Sequence, residues 1–164
     1  MNRTELEHIL KQLHRDAYIW ARQCCQFDDE LAKDMLQQSY LKILEGKAKL
    51  KDPKKAKTWL FSIIRYTIID EYRKAGKVVP LEESYDPIDT IEEVDSTDYE
   101  GIIKKLPEMQ REVIMAVFYH QMTIAESAEI LQINVGTART HYERGKKKLK
   151  ELIQKSQLIE QNGK

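Results

Sequence analysis

A chain of 164 residues, 41% hydrophobic and 33% charged, has enough apolar surface for one ordinary domain or two small helical ones. Its longest apolar run, Val113 to Tyr119, is far short of the ~18 residues a membrane span needs, so membrane insertion is not expected. The opening MNRTELEHIL lacks an apolar stretch between a basic start and a small-residue cleavage site, so no signal peptide is expected and the cytoplasm is the default compartment.

Glycines and prolines punctuate the chain at Gly46, Pro53, Gly76, Pro80, Pro87, Gly101 and Pro107, with no hairpin signal between them. Everything long and periodic reads as helix. The first helix opens on Thr4 and Glu7 in capping-box spacing and aligns Leu6, Ile9, Leu10, Leu13, Ala17, Ala21 and Cys24 on one face. The second starts at Asp28 or Asp29, repeats apolar residues at Leu31, Met35, Tyr40, Ile43 and Leu44, and stops at Gly46. A third starts at Asp52-Pro53 and runs to Gly76, with Leu60, Ile63, Ile64, Thr67 and Ile68 inward. Three complementary stripes predict one small bundle over residues 1–75.

Residues 76–101 turn acidic and proline-interrupted, a composition that cannot bury a core and predicts a flexible linker. At ~3.3 Å per residue it reaches roughly 80 Å extended, or about 25–30 Å as an average coil. The second bundle, 102–164, opens on Ile102, Ile103 and Leu106, turns at Pro107, and continues as a helix with Val113, Ile114, Val117 and Phe118 inward. The predicted fold class is therefore all-α, two small helical bundles joined by an acidic linker.

The formal net charge of zero conceals unlike segments. Residues 1–75 hold 15 Lys+Arg against 11 Asp+Glu, residues 76–101 hold 1 against 9, and residues 102–164 hold 11 against 7. Each basic module can bind a polyanion while the whole stays neutral, and Glu82, Glu83, Glu92 and Glu93 are expected to shield both in the free chain.

The densest signal is a helix-turn-helix in the second bundle. Thr123 and Glu126 form a capping box for a short helix with Ala128 and Leu131 inward; Gln132-Ile133-Asn134 make the turn, with Asn134 capping the next helix. That helix, Val135 to about Ile153, is small and polar at first and then strongly basic. Its early turns make Thr137, Arg139, Thr140, His141 and Arg144 candidate base readers. Lys147 and Lys148 suit phosphates, and Thr123 completes the DNA-contact set. A second basic segment, Lys47 to Lys57, holds six lysines and one aspartate and runs into Trp59, Phe61, Tyr66 and Tyr72. Lysines followed by aromatics suit single-stranded DNA, although Trp59 also fits a core position.

Cys24 and Cys25 are adjacent in a helical pattern, pointing about 100° apart, and read as reduced packing residues. The four histidines show no ligand spacing, so neither metal nor cofactor is expected. No paired carboxylates, nucleophile constellation or phosphate loop suggests an enzyme.

Taken together, these segments resemble an extracytoplasmic-function sigma factor, the compact promoter-recognition subunit of bacterial RNA polymerase. DMLQQSYLKILEG at Asp34 to Gly46 is similar to the helix that docks on the polymerase clamp, and TWLFSIIRYTIIDEYRK at Thr58 to Lys74 to the helix that opens the minus-ten element. LPEMQREVI at Leu106 to Ile114 and TIAESAEILQINVGTARTHYERGKKKL at Thr123 to Leu149 are similar to the module that reads the minus-thirty-five element. The resemblance implies that Asp34, Gln37, Gln38 and Leu41 contact the polymerase. It implies that Lys54, Lys55, Lys57, Trp59, Tyr66, Arg73 and Lys74 lie along the minus-ten strand, with Leu50 and Lys51 where the family pockets a flipped base. The implied partners are core RNA polymerase and promoter DNA, with room for an anti-sigma factor. The implied activity is transcription initiation by promoter recognition and melting.

Five positions depart from the family pattern: Gln132 replaces a turn glycine, Ser127 an isoleucine, Ala138 a valine, Gln38 a glutamate and Tyr66 a common asparagine, so no minus-ten base preference carries over. The first three are expected to thin the helix-turn-helix packing. Two rival readings remain: a free-standing helix-turn-helix repressor or activator whose first bundle oligomerises, and an interaction module binding partner helices through Tyr40 and Leu41.

Overall fold

A computed structural model describes residues 2–76 and 99–162, with side chains up to residue 158. The shielding expected of Glu82, Glu83, Glu92 and Glu93, and most of the expected linker, lie outside the described residues. Helix α1 spans Arg3–Cys24, and its capping box is Asn2 with Glu5 rather than the expected Thr4 with Glu7. Asn2 Oδ1 accepts from the Glu5 amide at 2.8 Å. Asparagine is the stronger cap, and Glu7 is left to pair with Arg3 at 3.2 Å. The chain reverses at Gln26 and Phe27, both left-handed at φ +55° and +64°, and Asp28 then caps α2, Asp29–Leu44.

Asp52 accepts from the Lys54 amide at 3.0 Å and opens a tight 3₁₀ turn, Pro53–Lys55, that feeds α3, Ala56–Lys74. Helices α1, α2 and α3 pack pairwise as the first bundle. The second begins with α4, Tyr99–Lys104, so the last residues expected as linker are helical. It continues through α5, Glu108–Ile114, a π-helical turn at Met115–Tyr119, α6, Ile124–Leu131, and α7, Val135–Asn162. Among the described residues there is no strand, and no helix is long and apolar enough to cross a membrane.

Two expectations are corrected here. Phe118 does not point inward: the wide π turn inserts a residue into the α5 register and leaves Phe118 58% exposed, stacked on Tyr142 at 5.7 Å between ring centres. Helix α7 also runs well beyond Ile153, because nothing after that residue is a glycine or proline until Gly163.

The two bundles are not separate bodies. Helix α3 packs along α6, and one buried apolar cluster runs from Leu10, Trp20 and Phe61 into Val113, Ile114 and Leu131. Cys24 and Cys25 are buried free thiols within it, and burial pushes Cys25 up to about 12.

Candidate nucleic-acid interface and docking groove

The helix-turn-helix is built by local polar chemistry. Thr123 Oγ1 accepts from the Glu126 amide at 3.0 Å while Glu126 accepts from the Thr123 amide at 3.0 Å, satisfying two donors at the start of α6. Helix α6 ends on Gln132 in the left-handed region, φ +58° and ψ +43°, and the Ile133 amide closes the turn onto Ala128 at 3.0 Å. Asn134 Oδ1 then accepts from the Thr137 amide at 2.7 Å. The left-handed conformation explains why a glycine suits this position, since a side chain there is strained by roughly 1–2 kcal/mol. Gln132→Gly is expected to stabilise the chain by about 0.5–1 kcal/mol, a strain relief partly offset by glycine's unfolded-state entropy, read as a shifted urea midpoint.

Ser127 and Ala138 are both fully buried, and the Ser127 hydroxyl donates to the Ile124 carbonyl at 2.7 Å, so neither leaves an unsatisfied polar group. Close approach of α7 to α5 is set by Gly145, where a Cβ would stand 2.9 Å from Ile114 Cγ1. On the opposite face of α7, Arg139, Thr140, Arg144 and Lys147 are exposed and Thr137 half-buried. Lys148 is half-buried at the flank, and Thr123 is exposed at the mouth of α6.

His141 is a correction. It is 6% exposed and so cannot be one of the base readers expected from its place in the basic helix. It falls three residues after the buried Ala138 and four before Gly145, which puts it on the inward stripe of α7.

On the first bundle, Lys51, Lys54 and Lys55 are exposed where the chain enters α3, and Leu50 is half-buried beside them. Trp59, Tyr66 and Arg73 follow at seven-residue spacing, which keeps them within about 20° per step on one face of α3. Trp59 is half-buried against the core, whereas Tyr66 is 55% exposed with Lys42 Nζ 5.7 Å from its ring centre. Lys74 is exposed and pairs with Asp70 at 3.2 Å. The result is a strip with lysines at one end, aromatic faces in the middle and cations at the other end.

A third feature is an apolar groove of about 500 Å³ between α1 and α2, lined by His14, Tyr18, Lys33, Leu36, Gln37, Tyr40, Leu41 and Leu44. Leu41 is 50% exposed at its edge. Of the residues expected to touch polymerase, Gln37 and Leu41 line it; Asp34 is exposed and Gln38 half-buried, and neither reaches the lining. His14 Nδ1 lies 2.9 Å from the Tyr40 hydroxyl, and burial pushes that phenol up to about 12. Leu36, Tyr40 and Leu44 recur every fourth residue, so the α2 half of this wall was legible as periodicity; the α1 half was not.

The seam between the bundles was invisible to sequence reading. Lys57 Nζ donates to the His120 carbonyl at 2.9 Å, and Thr58 Oγ1 donates to Glu126 at 3.1 Å. The His120 ring is wedged edge-on against Phe61 and Trp20, at 4.7 and 5.8 Å, with Nε2 2.8 Å from Gln23 Oε1. Arg65 Nε donates to Glu112 Oε2 at 2.8 Å in a pair 13% and 3% exposed. Burial alone would lower the Arg65 guanidinium, but Glu112 holds it raised. Arg22 forks onto Glu100, with Nη2 3.1 Å from Oε2, and its Nε donates to Asp29 at 2.6 Å.

Burial, and then the Lys57 ammonium, push His120 down to about 4 from an ordinary 6.5. The folded chain therefore binds fewer protons here than the unfolded chain, and stability present above pH 6.5 is lost as pH falls toward 4. Glu108 acts oppositely: burial and then Glu112 push it up to about 7, so its share is lost as pH rises from 4.5 to 7. Subtracting a His120→Gln variant isolates the first. Between pH 7.5 and 5 the wild type is expected to lose on the order of 1–2 kcal/mol relative to the variant in urea titrations, and parallel curves would refute this.

Residues 9–78 match the family model described as Sigma-70 region 2, and residues 97–149 the model described as Sigma-70, region 4. The chain is 31% identical over 134 residues to the RNA polymerase sigma factor SigZ of Bacillus subtilis, covering 77% of this chain and 75% of that one. It is 28% identical over 146 residues to the ECF RNA polymerase sigma factor SigM of Mycobacterium tuberculosis, covering 87% and 72%. Among solved structures, the sigma factor RpoE of Bartonella quintana, in complex with the anti-sigma factor NepR, shares the fold at a TM-score of 0.71 and 20% identity, covering 92% of this chain and 97% of that one.

Proposed function

The chain belongs to the extracytoplasmic-function group of RNA polymerase sigma factors, which bind core polymerase and direct it to promoters, and on that premise we propose how its surfaces divide the work. Residues 1–75 form the module that docks on polymerase and opens the minus-ten element. Residues 102–164 form the module that reads the minus-thirty-five element, and the acidic stretch between them is the tether.

The observation that carries this reading is the pairing of an exposed basic face on α7 with the lysine and aromatic strip on α3. Arg139, Thr140 and Arg144 read base edges, with Thr137 beside them, while Lys147, Lys148 and the Thr123 end of α6 meet phosphates. Along α3 and the turn that leads into it, Lys51, Lys54, Lys55, Arg73 and Lys74 hold the strand backbone, and Tyr66 with the exposed edge of Trp59 stacks unpaired bases at about 1–3 kcal/mol each. Leu50 and Lys51 border the position of a flipped base. Binding energy is thereby converted into strand separation without any covalent step by this chain. The α1 and α2 groove, with Gln37 and Leu41 at its edge and Asp34 and Gln38 beside it, receives the polymerase clamp. Work on polymerase places the chain in the cytoplasm, and the anti-sigma partner in the RpoE structure makes such a regulator a candidate here.

Arg139→Ala and Arg144→Ala are expected to weaken promoter binding by roughly 1–3 kcal/mol each and to relax sequence preference locally. The check is an electrophoretic titration of polymerase holoenzyme on promoters found by sequencing its transcripts. Unchanged affinity and unchanged preference would remove α7 as the reader.

A further inference from the structure

Lys42, near the C-terminal end of α2, belongs to none of the surfaces assigned above. It is half-buried, and its ammonium crosses to α3, where Nζ stands 3.2 Å from Thr67 Oγ1 and 5.7 Å from the centre of the Tyr66 ring. The direction of that hydrogen bond is fixed. Thr67 is 2% exposed and its hydroxyl already donates to the Ile63 carbonyl at 2.8 Å, so toward Lys42 it can only accept. Lys42 therefore donates one of its three N–H groups there and keeps two for another acceptor.

Among the described residues no carboxylate supplies that acceptor. Glu45 and Asp70, the acids nearest to Lys42 along α2 and to Thr67 along α3, are paired instead with Lys47 at 3.0 Å and with Lys74 at 3.2 Å. A half-buried ammonium without a counter-ion attracts an anion more strongly than the fully exposed Lys54 or Lys55, because less water screens it. Tyr66 decides which anion arrives. Its ring is 55% exposed with the ammonium on one side, which leaves the rest open to a base. A nucleotide whose base stacks on that ring brings its own phosphates alongside the ring's edge, next to the cation.

From this we infer that Lys42 is a further phosphate contact of the minus-ten strand, gripping the phosphodiester that flanks the base stacked on Tyr66. The inference rests on the reading of the α3 strip as the strand site. The pairing belongs to this chain, because Tyr66 stands where the family commonly has an asparagine, which offers no ring. Lys42 also follows Leu41 directly, about 100° around the helix, so α2 turns one residue toward the docking groove and the next toward the strand. A phosphate contact carries no sequence information, so Lys42 adds affinity and holds register while preference stays with the residues that meet bases.

The test binds polymerase holoenzyme, assembled with the wild-type or variant chain, to a single-stranded oligonucleotide spanning the non-template minus-ten element of a promoter found by transcript sequencing. Lys42→Met keeps the packed stem and the Thr67 to Ile63 bond and removes the ammonium. It is expected to weaken binding about three- to tenfold at about 0.1 M salt, equally for every base substituted in the element, and to reduce the slope of log affinity against log salt by about 0.7. Lys42→Arg should restore the slope and most of the affinity. A weakened Lys42→Met with an unchanged slope would overturn the inference, making Lys42 a brace for Tyr66. Unchanged affinity, or a loss confined to one base, would overturn it as well, and failure to form holoenzyme would assign Lys42 to docking instead. Tyr66→Ala tests the reading underneath: if that variant binds the strand as the wild type does, the α3 strip is not the strand site, whatever Lys42 does.

Discussion

Replacing Arg65 by Met is expected to destabilise the chain by about 3–5 kcal/mol, among the largest losses from any single change outside the aromatic cluster. Glu112 is 3% exposed and accepts from Arg65 at 2.8 Å, while Glu108 on the same helix is already pushed up to about 7 by burial and by Glu112. Without the guanidinium, Glu112 must be either ionised in a desolvated site or neutralised at a cost, and its neighbour Glu108 worsens the first choice. The pair itself is worth far less than that loss, because forming it already required two ions to leave water. The double variant Arg65→Met with Glu112→Leu should therefore recover to within about 1–2 kcal/mol of the wild type in urea unfolding at pH 7.5. A double variant as unstable as the single one would show that the site needs the ions themselves.

That pair also shows where the sequence was legible. Helix positions, the turn at Gln132 to Asn134 and the outward face of α7 follow from caps and periodicity, which are local and act over three or four residues. Gln132 is instructive: it was legible as a departure from a glycine position, and the left-handed φ of +58° supplies the reason for the glycine. His141 was misread because a basic helix looks uniformly solvent-facing until its inward stripe is located by Ala138 and Gly145. The seam was not legible at all. Its contacts join residues 47 to 100 positions apart, such as Arg65 with Glu112 and Trp20 with His120, and no short-range pattern marks two such residues as partners. Lys57 illustrates the consequence, since the family resemblance implies a place on the minus-ten strand while the fold gives it a protein acceptor.

Phe61→Ala is expected to cost about 3–5 kcal/mol, because this ring packs against both bundles within their shared core. It is fully buried, it stacks on Trp20 at 5.1 Å with the planes 9° apart, and it meets the His120 ring edge-on at 4.7 Å. The Trp20 indole N–H also donates to the Phe61 carbonyl at 3.1 Å, so the tryptophan is held by a backbone group that the substitution keeps. The loss is therefore one of cavity and stacking rather than of hydrogen bonding, and Phe61→Leu, which refills most of the space, should cost only about 1–2 kcal/mol. The two variants separate the roles of the ring. Calorimetric unfolding should show both losses, the larger for Phe61→Ala, where His120 loses the face it packs against. Equal stability losses for alanine and leucine would mean that ring stacking, not filled volume, holds the seam.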